Sequence, residues 1–404
     1  MPDALPASII AQRKSISEAL ATIRRAASSD KVIGGATHTL YRYPARFSPC
    51  FARAAIEAFS GPGDLVLDPF MGGGTAIVEA LLAGRIAIGN DLNSLAVFLA
   101  RAKTSPLAKL DELSLRSWLD EVVPRLLFNT APPRHAPAPC PHRTRNMGIP
   151  RARALKKIMH LALSSIPLLP SVRARNFARA ILLNSGQWAL NGRRHPVTAS
   201  MFREHLISAG KQMLTAINDF SSLIPRDSAT PTLIQGDASR LPLARVFSSG
   251  VRADLIVTSP PYPGIHVLYH RWQLDGRKES PAAYWLANCQ DGNGSAHYNL
   301  ADRREAAADS YFHCLTRALC GVRSVVKEGA YLVQLVAFAR PSAQLPRFLE
   351  VLAASGFQEV RLDQCGLAAA HRRIWRDVPS RSWHANAKGK TAASREVVLV
   401  HRAV

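Results

Sequence analysis

Apolar and polar residues recur along the chain with the periods of helices and strands. Over residues 15–27 (SISEALATIRRAA) the apolar positions follow helical spacing, and Ser15 with Glu18 has the form of a capping box. Short apolar runs at 64–68 (DLVLD) and 85–90 (RIAIGN) predict two buried strands. A glycine-rich turn and a helical segment separate the strands, and an acidic residue follows the second. This order predicts a right-handed βαβ unit that opens an α/β sheet.

The last part of the chain continues the same alternation. A short strand ends at Gly236-Asp237, and the run 254–264 (DLIVTSPPYPG) begins as a strand and ends in a proline turn. The pattern then predicts a helix over 305–326, a strand over 329–337, a helix over 345–354 and an antiparallel pair formed by 357–363 and 395–402. Together with the first unit, these elements complete a sheet of seven strands.

A long segment interrupts the sheet after its second strand. It is too long to be a simple connection between strands, and helical spacing recurs within it at 151–166 and 171–184. We therefore divide the chain into three parts: an N-terminal part of the sheet domain (1–105), a mainly helical insertion (106–231) and a C-terminal part of the sheet domain (232–404).

The net charge of the chain indicates the kind of partner that it binds. The 404 residues carry a formal net charge of +22 and a pI near 10.5. Between Glu121 and Glu204 there are fourteen Lys or Arg residues and no Asp or Glu. A basic run of this kind favours a polyanionic partner, most commonly nucleic acid, over the alternative of a solvated arginine-rich face. The insertion is therefore predicted to recognise the target, with its Lys and Arg residues on phosphates and on some base edges.

Three further features bear on location. No run of eighteen apolar residues predicts a membrane span, and the N-terminus lacks the basic and apolar regions of an export signal. The six cysteines are scattered and contain no CxxC pair, which is typical of reduced thiols. The sequence thus predicts a cytoplasmic protein with no membrane partner.

The glycine-rich turn is DPFMGGGT, residues 68–75. Adjacent glycines let backbone amides approach a ligand closely. Asp91, at the end of the next strand, is placed to bind a pair of ribose hydroxyls. The turn is neither a G-x-G-x-x-G fingerprint nor a P-loop with its lysine, and on its own it could be a tight structural turn.

The proline turn completes a specific combination. With DPFMGGGT, Asp91, Asp237 and TSPPY in this order, the chain resembles the S-adenosylmethionine-dependent amino-methyltransferases of DNA, the N4-cytosine/N6-adenine group. The resemblance covers about residues 38–104 and 232–340. It implies a Rossmann-like seven-stranded methyltransferase sheet, S-adenosyl-L-methionine as cofactor, and double-stranded DNA with a flipped base as partner. The TSPPY form is most often associated with cytosine N4.

The resemblance also implies site residues. The methionine and ribose part of the cofactor would be lined by Asp68, Phe70, Gly72, Gly74 and Thr75. Asp91 would bind the ribose hydroxyls, and Asp237 with Ala238 would lie beside the adenine. The looser match of YRYPARFSP nominates Tyr43, Pro44 and Phe47 at the methionine end, with an ordinary proline loop as the alternative.

The turn Ser259-Pro260-Pro261-Tyr262 would be catalytic. An exocyclic amino nitrogen is a poor nucleophile because its lone pair is delocalised into the ring. Two acceptors, Ser259 Oγ and the carbonyl of Pro260, would hold its N–H bonds while the prolines fix the backbone. Tyr262 would offer an aromatic face to the flipped base. Such a reaction needs alignment but no metal.

Several alternatives are open. Adenine N6 or an RNA amino group are alternative acceptors, and a non-catalytic DNA-binding protein could have the same fold. A cytosine C5 mechanism needs a nucleophilic cysteine, for which Cys50 and Cys140 follow prolines in unsuitable places. The group His135, Cys140 and His142 lacks a fourth zinc ligand. The recognition sequence, a cognate restriction enzyme and the oligomeric state are not encoded in any motif.

Two other segments are predicted to contact DNA. The segment 266–299 after the proline turn is rich in polar and aromatic residues, and we expect a loop that covers the DNA with Arg271 and Arg277 near its backbone. The basic stretch 371–390 between the last two strands is a second candidate loop.

Overall fold

A computed structural model gives the fold. It describes residues 15–29, 35–44, 48–132, 139–193, 195–265, 267, 271–276, 278–290, 295–300, 308–361, 373–377 and 395–404. None of the helices in these ranges combines the length and the apolarity that crossing a membrane requires.

The described residues form helices and strands in alternation. The helices are α1 (Ile16–Ala27), α2 (Pro49–Phe59), α3 (Thr75–Leu82), α4 (Ser94–Thr104), α5 (Lys109–Ser117), α6 (Pro150–Ser165), α7 (Val172–Leu190), α8 (Ala199–Leu223), α9 (Arg245–Ser248), α10 (Ala282–Ala287), α11 (Ser295–Tyr298), α12 (Ala308–Arg323) and α13 (Pro341–Ala354). The strands are β1 (Leu65–Asp68), β2 (Ile86–Asp91), β3 (Thr232–Gln235), β4 (Ala253–Thr258), β5 (Trp272–Asp275), β6 (Lys278–Ser280), β7 (Val326–Ala337), β8 (Phe357–Glu359), β9 (Ile374–Asp377) and β10 (Arg395–Ala403).

The strands build a mostly parallel sheet in the order β3-β2-β1-β4-β7-β10-β8. The pairs from β3 to β7 are parallel, and β10 runs antiparallel to both β7 and β8. An eighth strand, β9, pairs with β10 off this path. The predicted α/β fold with a Rossmann-like sheet is confirmed, and β9 is an addition to the seven predicted strands.

Helix α1 begins where the sequence predicts. The Ser15 side chain accepts from the Glu18 N–H, and the Glu18 carboxylate accepts from the Ser15 N–H at 2.9 Å, which completes the capping box. The apolar residues of α1 pack against α2 and so join the core on one face of the sheet.

Two hydrophobic clusters cover the two faces of the sheet. The larger cluster contains residues of α1 to α4 and also residues of the insertion helices α5 to α8. The smaller cluster packs α12 and α13 against the other face. The helices of the insertion therefore share a core with the sheet. Helix α8, with 25 residues, is the longest described helix and was not predicted.

The segment after the proline turn corrects one expectation. Its described part forms the β5–β6 hairpin and α10, and Trp272, Tyr284 and Leu286 are buried there. At Gly186 on α7, an added Cβ would lie 2.8 Å from the Trp272 ring and 2.9 Å from Leu286, so a glycine is needed for this close packing. The prediction of a polar loop was wrong for 271–276 and 278–290, because its aromatic residues are packed against the insertion. Arg277 lies outside the described residues.

Candidate active site

A cavity of about 330 Å³ opens at the carboxyl ends of the parallel strands. It gathers many of the nominated residues from distant parts of the chain: Tyr43, Pro44, Asp68, Phe70, Gly72, Thr75, Asp91, Asp237, Ala238, Ser259 and Pro261. Gly74, Pro260 and Tyr262 do not line it. Phe47 lies outside the described residues. The carboxyl edge of a parallel sheet is where α/β proteins bind ligands, and this is where the cavity lies.

The glycine turn is shaped by its contact with α4. Gly74 has φ +76° and is the N-cap of α3, a left-handed conformation that favours glycine. An added Cβ at Gly74 would lie 2.9 Å from the Ala100 Cβ. Gly74 therefore lets the turn sit against α4, which is a packing role behind the cavity.

A buried lysine holds the same turn. Lys103 on α4 is 1% exposed, and its Nζ donates a 2.7 Å hydrogen bond to the carbonyl oxygen of Gly73. A buried ammonium group needs such a partner, since its desolvation is costly. The sequence gives no sign of this role, because Lys103 stands near the end of a helix where a solvated lysine is ordinary.

Asp91 ties the turn to the end of β2. Its Oδ2 accepts from the Gly72 N–H and its Oδ1 accepts from the Asn93 N–H, both at 2.8 Å. Burial raises the pKa of Asp91 to about 6 despite these two hydrogen bonds. Each carboxylate oxygen keeps a second lone pair, so the side chain can still accept hydroxyl groups from a ligand in the cavity.

Asn93 extends this contact to two tyrosines. Its Nδ2 donates to Tyr43 Oη at 3.2 Å, and its Oδ1 accepts from Tyr284 Oη at 2.9 Å. Tyr43 thereby stands fixed at the cavity wall, and its contact with the methionine end of a cofactor stays a prediction. The role of Asn93 was missed, since its partners come from segments far apart in the sequence.

Asp68 lies at the end of β1 and is 3% exposed. Its Oδ1 accepts from Thr258 Oγ1 at 2.6 Å and from the Phe70 N–H at 3.1 Å. Burial raises the pKa of Asp68 to about 7, and the nearby Asp91 carboxylate adds to the rise. The side chain thus joins the glycine turn to the last residue before Ser259.

The other wall of the cavity follows β3. Asp237 Oδ1 accepts from the Ser239 N–H at 2.9 Å and caps a short 3₁₀ turn, and Ala238 is buried beside it. Helix α12 packs on this turn and adds Cys314, Arg317 and Ala318 to the lining. His297 and Tyr298 of α11 also contribute. None of these residues of α11 and α12 was nominated from the sequence.

The proline turn follows β4. Ser259 Oγ lies 2.9 Å from Tyr262 Oη and donates to the Leu335 carbonyl at 3.1 Å. Tyr311 Oη donates to the Pro261 carbonyl at 2.6 Å, which fixes the turn against α12. Ser259 and Pro261 therefore reach the cavity from a rigid strand end.

Tyr262 requires a correction. Its side chain is 5% exposed and does not line the cavity, and its hydroxyl donates to Glu396 Oε1 at 2.7 Å. The expectation of an open aromatic face is not met in this structure, because the ring is packed in the core and its hydroxyl is bound. Pro260 is likewise buried.

The two cysteines nominated for a C5 mechanism lie away from the cavity. Cys50 and Cys140 are exposed and do not line it. Within the described residues, no group of three or more His, Cys, Asp or Glu is placed to hold a metal ion. His135 lies outside the described residues.

The glycine turn and the acidic strand ends thus surround an open cavity at the carboxyl edge of the sheet of an α/β protein. Residues 17–101 match the model of a family described as DNA methylase. Over 74 residues the chain is 38% identical to the type II methyltransferase M.MvaI of Kocuria varians, which covers 18% of this chain and 16% of that protein. The resemblance to amino-methyltransferases of DNA is confirmed in this part of the chain. The TSPPY turn lies outside it and stays a prediction.

Two solved structures are similar at a lower level. TrmN from Thermus thermophilus shares 12% identity at a TM-score of 0.32, covering 89% of this chain and 49% of that one. The rRNA methyltransferase AviRa from Streptomyces viridochromogenes shares 12% identity at a TM-score of 0.31, covering 92% and 91%. At these TM-scores neither likeness bears on function.

Proposed function

We propose that this protein is an S-adenosylmethionine-dependent DNA methyltransferase that modifies the exocyclic N4 of cytosine. The observation that carries the proposal is that Ser259 lines the same cavity as the glycine turn and Asp91. The match of residues 17–101 to DNA methylases supports the cofactor half of that cavity.

The residues present fit the cofactor. Asp91 retains lone pairs for the ribose hydroxyls, and the exposed Asp237 with the buried Ala238 offers a polar and an apolar edge for the adenine. Tyr43, Pro44, Phe70 and Thr75 line the rest of the cavity, whose volume suits a ligand of this size. When bound, the cofactor supplies a methyl group on a sulfonium.

Ser259 would hold the target amino group. The group donates N–H bonds, so Ser259 Oγ must act as an acceptor while the lone pair of the nitrogen turns toward the methyl group. Because Ser259 stands on a turn fixed at Pro261 and at β7, the orientation of the amino group is set before reaction.

The choice of cytosine rests on the serine. A neutral hydroxyl is a weaker acceptor than the carboxylate or amide of the Asp and Asn forms of this turn. The smaller ring of cytosine also lets Ser259 reach the amino group in a compact site. Family resemblance favours N4-methylcytosine, with N6-methyladenine as the alternative product.

The insertion 106–231 would bind the DNA, and the parts 1–105 and 232–404 would form the catalytic domain. Helix α6 supports this division, since Arg153 is exposed and Lys156 and Lys157 are partly exposed on it. Across the insertion, no acidic residue between Glu121 and Glu204 offsets such charges. Duplex phosphates are the natural partner of this surface.

The test is methylation of unmethylated duplex DNA in vitro, followed by mass spectrometry of the nucleosides. We expect N4-methylcytosine with the wild type. Ser259→Ala should lower the rate by roughly ten- to a thousandfold while cofactor affinity, measured by calorimetry, stays unchanged. N6-methyladenine alone would overturn the cytosine assignment and keep the mechanism, whereas 5-methylcytosine would refute the role of the proline turn.

A further inference from the structure

Glu396 is a buried carboxylate that the motifs do not contain. It stands on β10 between two strands, opposite Ala337 of β7 and Arg376 of β9, and is 6% exposed. One carboxylate oxygen accepts from Tyr262 Oη at 2.7 Å, and the other lies 3.8 Å from Arg376 Nε. A buried carboxylate is costly unless it is bound in this way.

Glu396, Tyr262 and Ser259 form a chain of hydrogen bonds that ends at the cavity. Tyr262 Oη lies 2.7 Å from Glu396 Oε1 and 2.9 Å from Ser259 Oγ. Glu396 and Tyr262 do not line the cavity, whereas Ser259 does. The chain thus connects a buried carboxylate on β10 to the side chain that is proposed to bind the amino group.

The hydrogen-bond donors and acceptors of these three side chains determine which group donates in each bond. An ionised carboxylate only accepts, so Tyr262 directs its single hydrogen to Glu396. The Tyr262 oxygen can then only accept from Ser259, and the Leu335 carbonyl can also only accept from it. Whether Ser259 donates to the Tyr262 oxygen or to the Leu335 carbonyl, its one hydrogen points into the protein. Lone pairs of Ser259 Oγ then stay available to a ligand in the cavity.

From this geometry we infer that Glu396 is a positioning residue, which acts through the Tyr262 hydroxyl to keep Ser259 as a hydrogen-bond acceptor. The inference rests on the proposed function, since it matters only if Ser259 receives an N–H group. The effect of Glu396 on Ser259 passes through the Tyr262 hydroxyl, so it should vanish where that hydroxyl is removed.

A substitution by glutamine tests the direction of the chain. The amide of Glu396→Gln has the same shape but can donate as well as accept. Tyr262 would then be able to donate to Ser259 instead, which would occupy a lone pair of Oγ. Tyr262→Phe removes the connecting hydroxyl and keeps the packed ring. Ser259 can still donate to the Leu335 carbonyl in Tyr262→Phe, so its lone pairs stay available and the change at Glu396 has no hydroxyl through which to act.

The experiment measures single-turnover methyl transfer to unmethylated duplex DNA at saturating cofactor. We expect Glu396→Gln to slow transfer by roughly tenfold with unchanged cofactor affinity, because the Tyr262 hydroxyl can then occupy a lone pair of Ser259. Tyr262→Phe and the double variant Glu396→Gln/Tyr262→Phe should both stay near the wild-type rate, because neither has that hydroxyl. Arg376→Lys is the matched control, because it keeps a positive charge beside Glu396 and leaves the hydrogen-bond chain. It should stay within about twofold of the wild type.

Three outcomes would overturn the inference alone: a wild-type rate in Glu396→Gln, a double variant Glu396→Gln/Tyr262→Phe as slow as Glu396→Gln, or an equal loss in Arg376→Lys, which would mark a structural role. If Glu396→Gln fails to fold because Arg376 loses its counter-charge, the variant Glu396→Gln/Arg376→Gln removes both charges. The same comparison is then made in that variant, with and without Tyr262→Phe. Absence of transfer by the folded wild-type protein would instead overturn the proposed function, and the inference with it.

Discussion

Thr258 Oγ1 donates a hydrogen bond of 2.6 Å to the buried carboxylate of Asp68. Asp68 begins the glycine turn, and Thr258 directly precedes Ser259, so one bond joins two halves of the site that lie 190 residues apart. The strands that carry them, β1 and β4, are parallel neighbours. The spacing between the cofactor wall and the proline turn is therefore fixed by the sheet and by this side-chain contact.

Replacing Thr258 with valine removes the hydroxyl and keeps the shape of the side chain. The buried Asp68 carboxylate then loses its side-chain donor, and we expect the free energy of unfolding to fall by about 1–3 kcal/mol. Urea denaturation measures this change. Thr258→Ser retains the donor and should recover most of the loss, whereas equal stability of the valine variant and the wild type would contradict the role of this bond.

Cofactor affinity should depend on pH through Asp91. Burial raises the pKa of Asp91 to about 6, so the free protein holds a proton there at pH 5 and releases it as the pH rises through 6. Ribose hydroxyls bind the ionised form better, because it only accepts. Affinity measured by calorimetry should therefore increase between pH 5 and 7 and then level off.

Asp91→Asn is the control for this pH dependence. We expect its cofactor affinity to be lower by roughly ten- to a hundredfold near pH 7 and to lack the rise centred near pH 6. Asp68 lines the same cavity with a pKa raised to about 7, so the dependence that is left in the variant belongs to Asp68. A pH profile of the wild type parallel to that of the variant would remove Asp91 from the ribose contact.

Replacing Lys103 with methionine keeps the length of the side chain and removes its donor. The Gly73 carbonyl then loses a buried partner, and the turn should hold the cofactor roughly tenfold less tightly. Calorimetry measures the cofactor affinity, and thermal unfolding measures any loss of stability. Lys109→Met on α5 is the same substitution at a side chain that is 77% exposed, and it should change neither the affinity nor the stability. Unaltered affinity in Lys103→Met would show that the bond is dispensable.

The basic face of α6 can be tested by salt dependence. Arg151 is excluded from the test, since its guanidinium lies 3.4 Å from Asp275 and is engaged within the protein. Arg153→Gln with Lys156→Gln should weaken binding to all duplex sequences alike. The log–log salt slope should flatten by up to about 0.9 for each phosphate that the variant no longer neutralises.

The matched control for the α6 variant removes two exposed charges elsewhere, Arg24 and Arg25 on α1. That double variant should keep the wild-type slope. If both double variants flatten the slope equally, then net charge rather than α6 governs the binding of DNA.

Local pattern was enough for the glycine turn and its two strands, because a βαβ unit is encoded by neighbouring residues. The same holds for the capping box of α1. Helix α8 has comparable signals, since Thr198 caps it and apolar residues such as Phe202 and Leu206 recur at helical spacing, so its absence from the prediction was an omission.

The contacts of Tyr262 and Lys103 could not be predicted in this way. Tyr262 meets Glu396 across 134 residues, and Lys103 meets Gly73 across 30. Neither partner is marked by spacing or composition, since both pairs form only when the strands and helices have packed. The aromatic residues of the β5–β6 hairpin were misjudged for the same reason, because burial by α7 decides whether such a segment is a loop or a core element.

Under the proposed function, the core that the insertion shares with the sheet limits how the protein can acquire a new target sequence. Helix α7 contacts α4 and α10 as well as its neighbours α5, α6 and α8. A segment anchored on so many sides cannot be exchanged for a foreign module without exposing apolar surface next to the glycine turn. Reprogramming would have to proceed by substitutions on the outer faces of the helices, one side chain at a time.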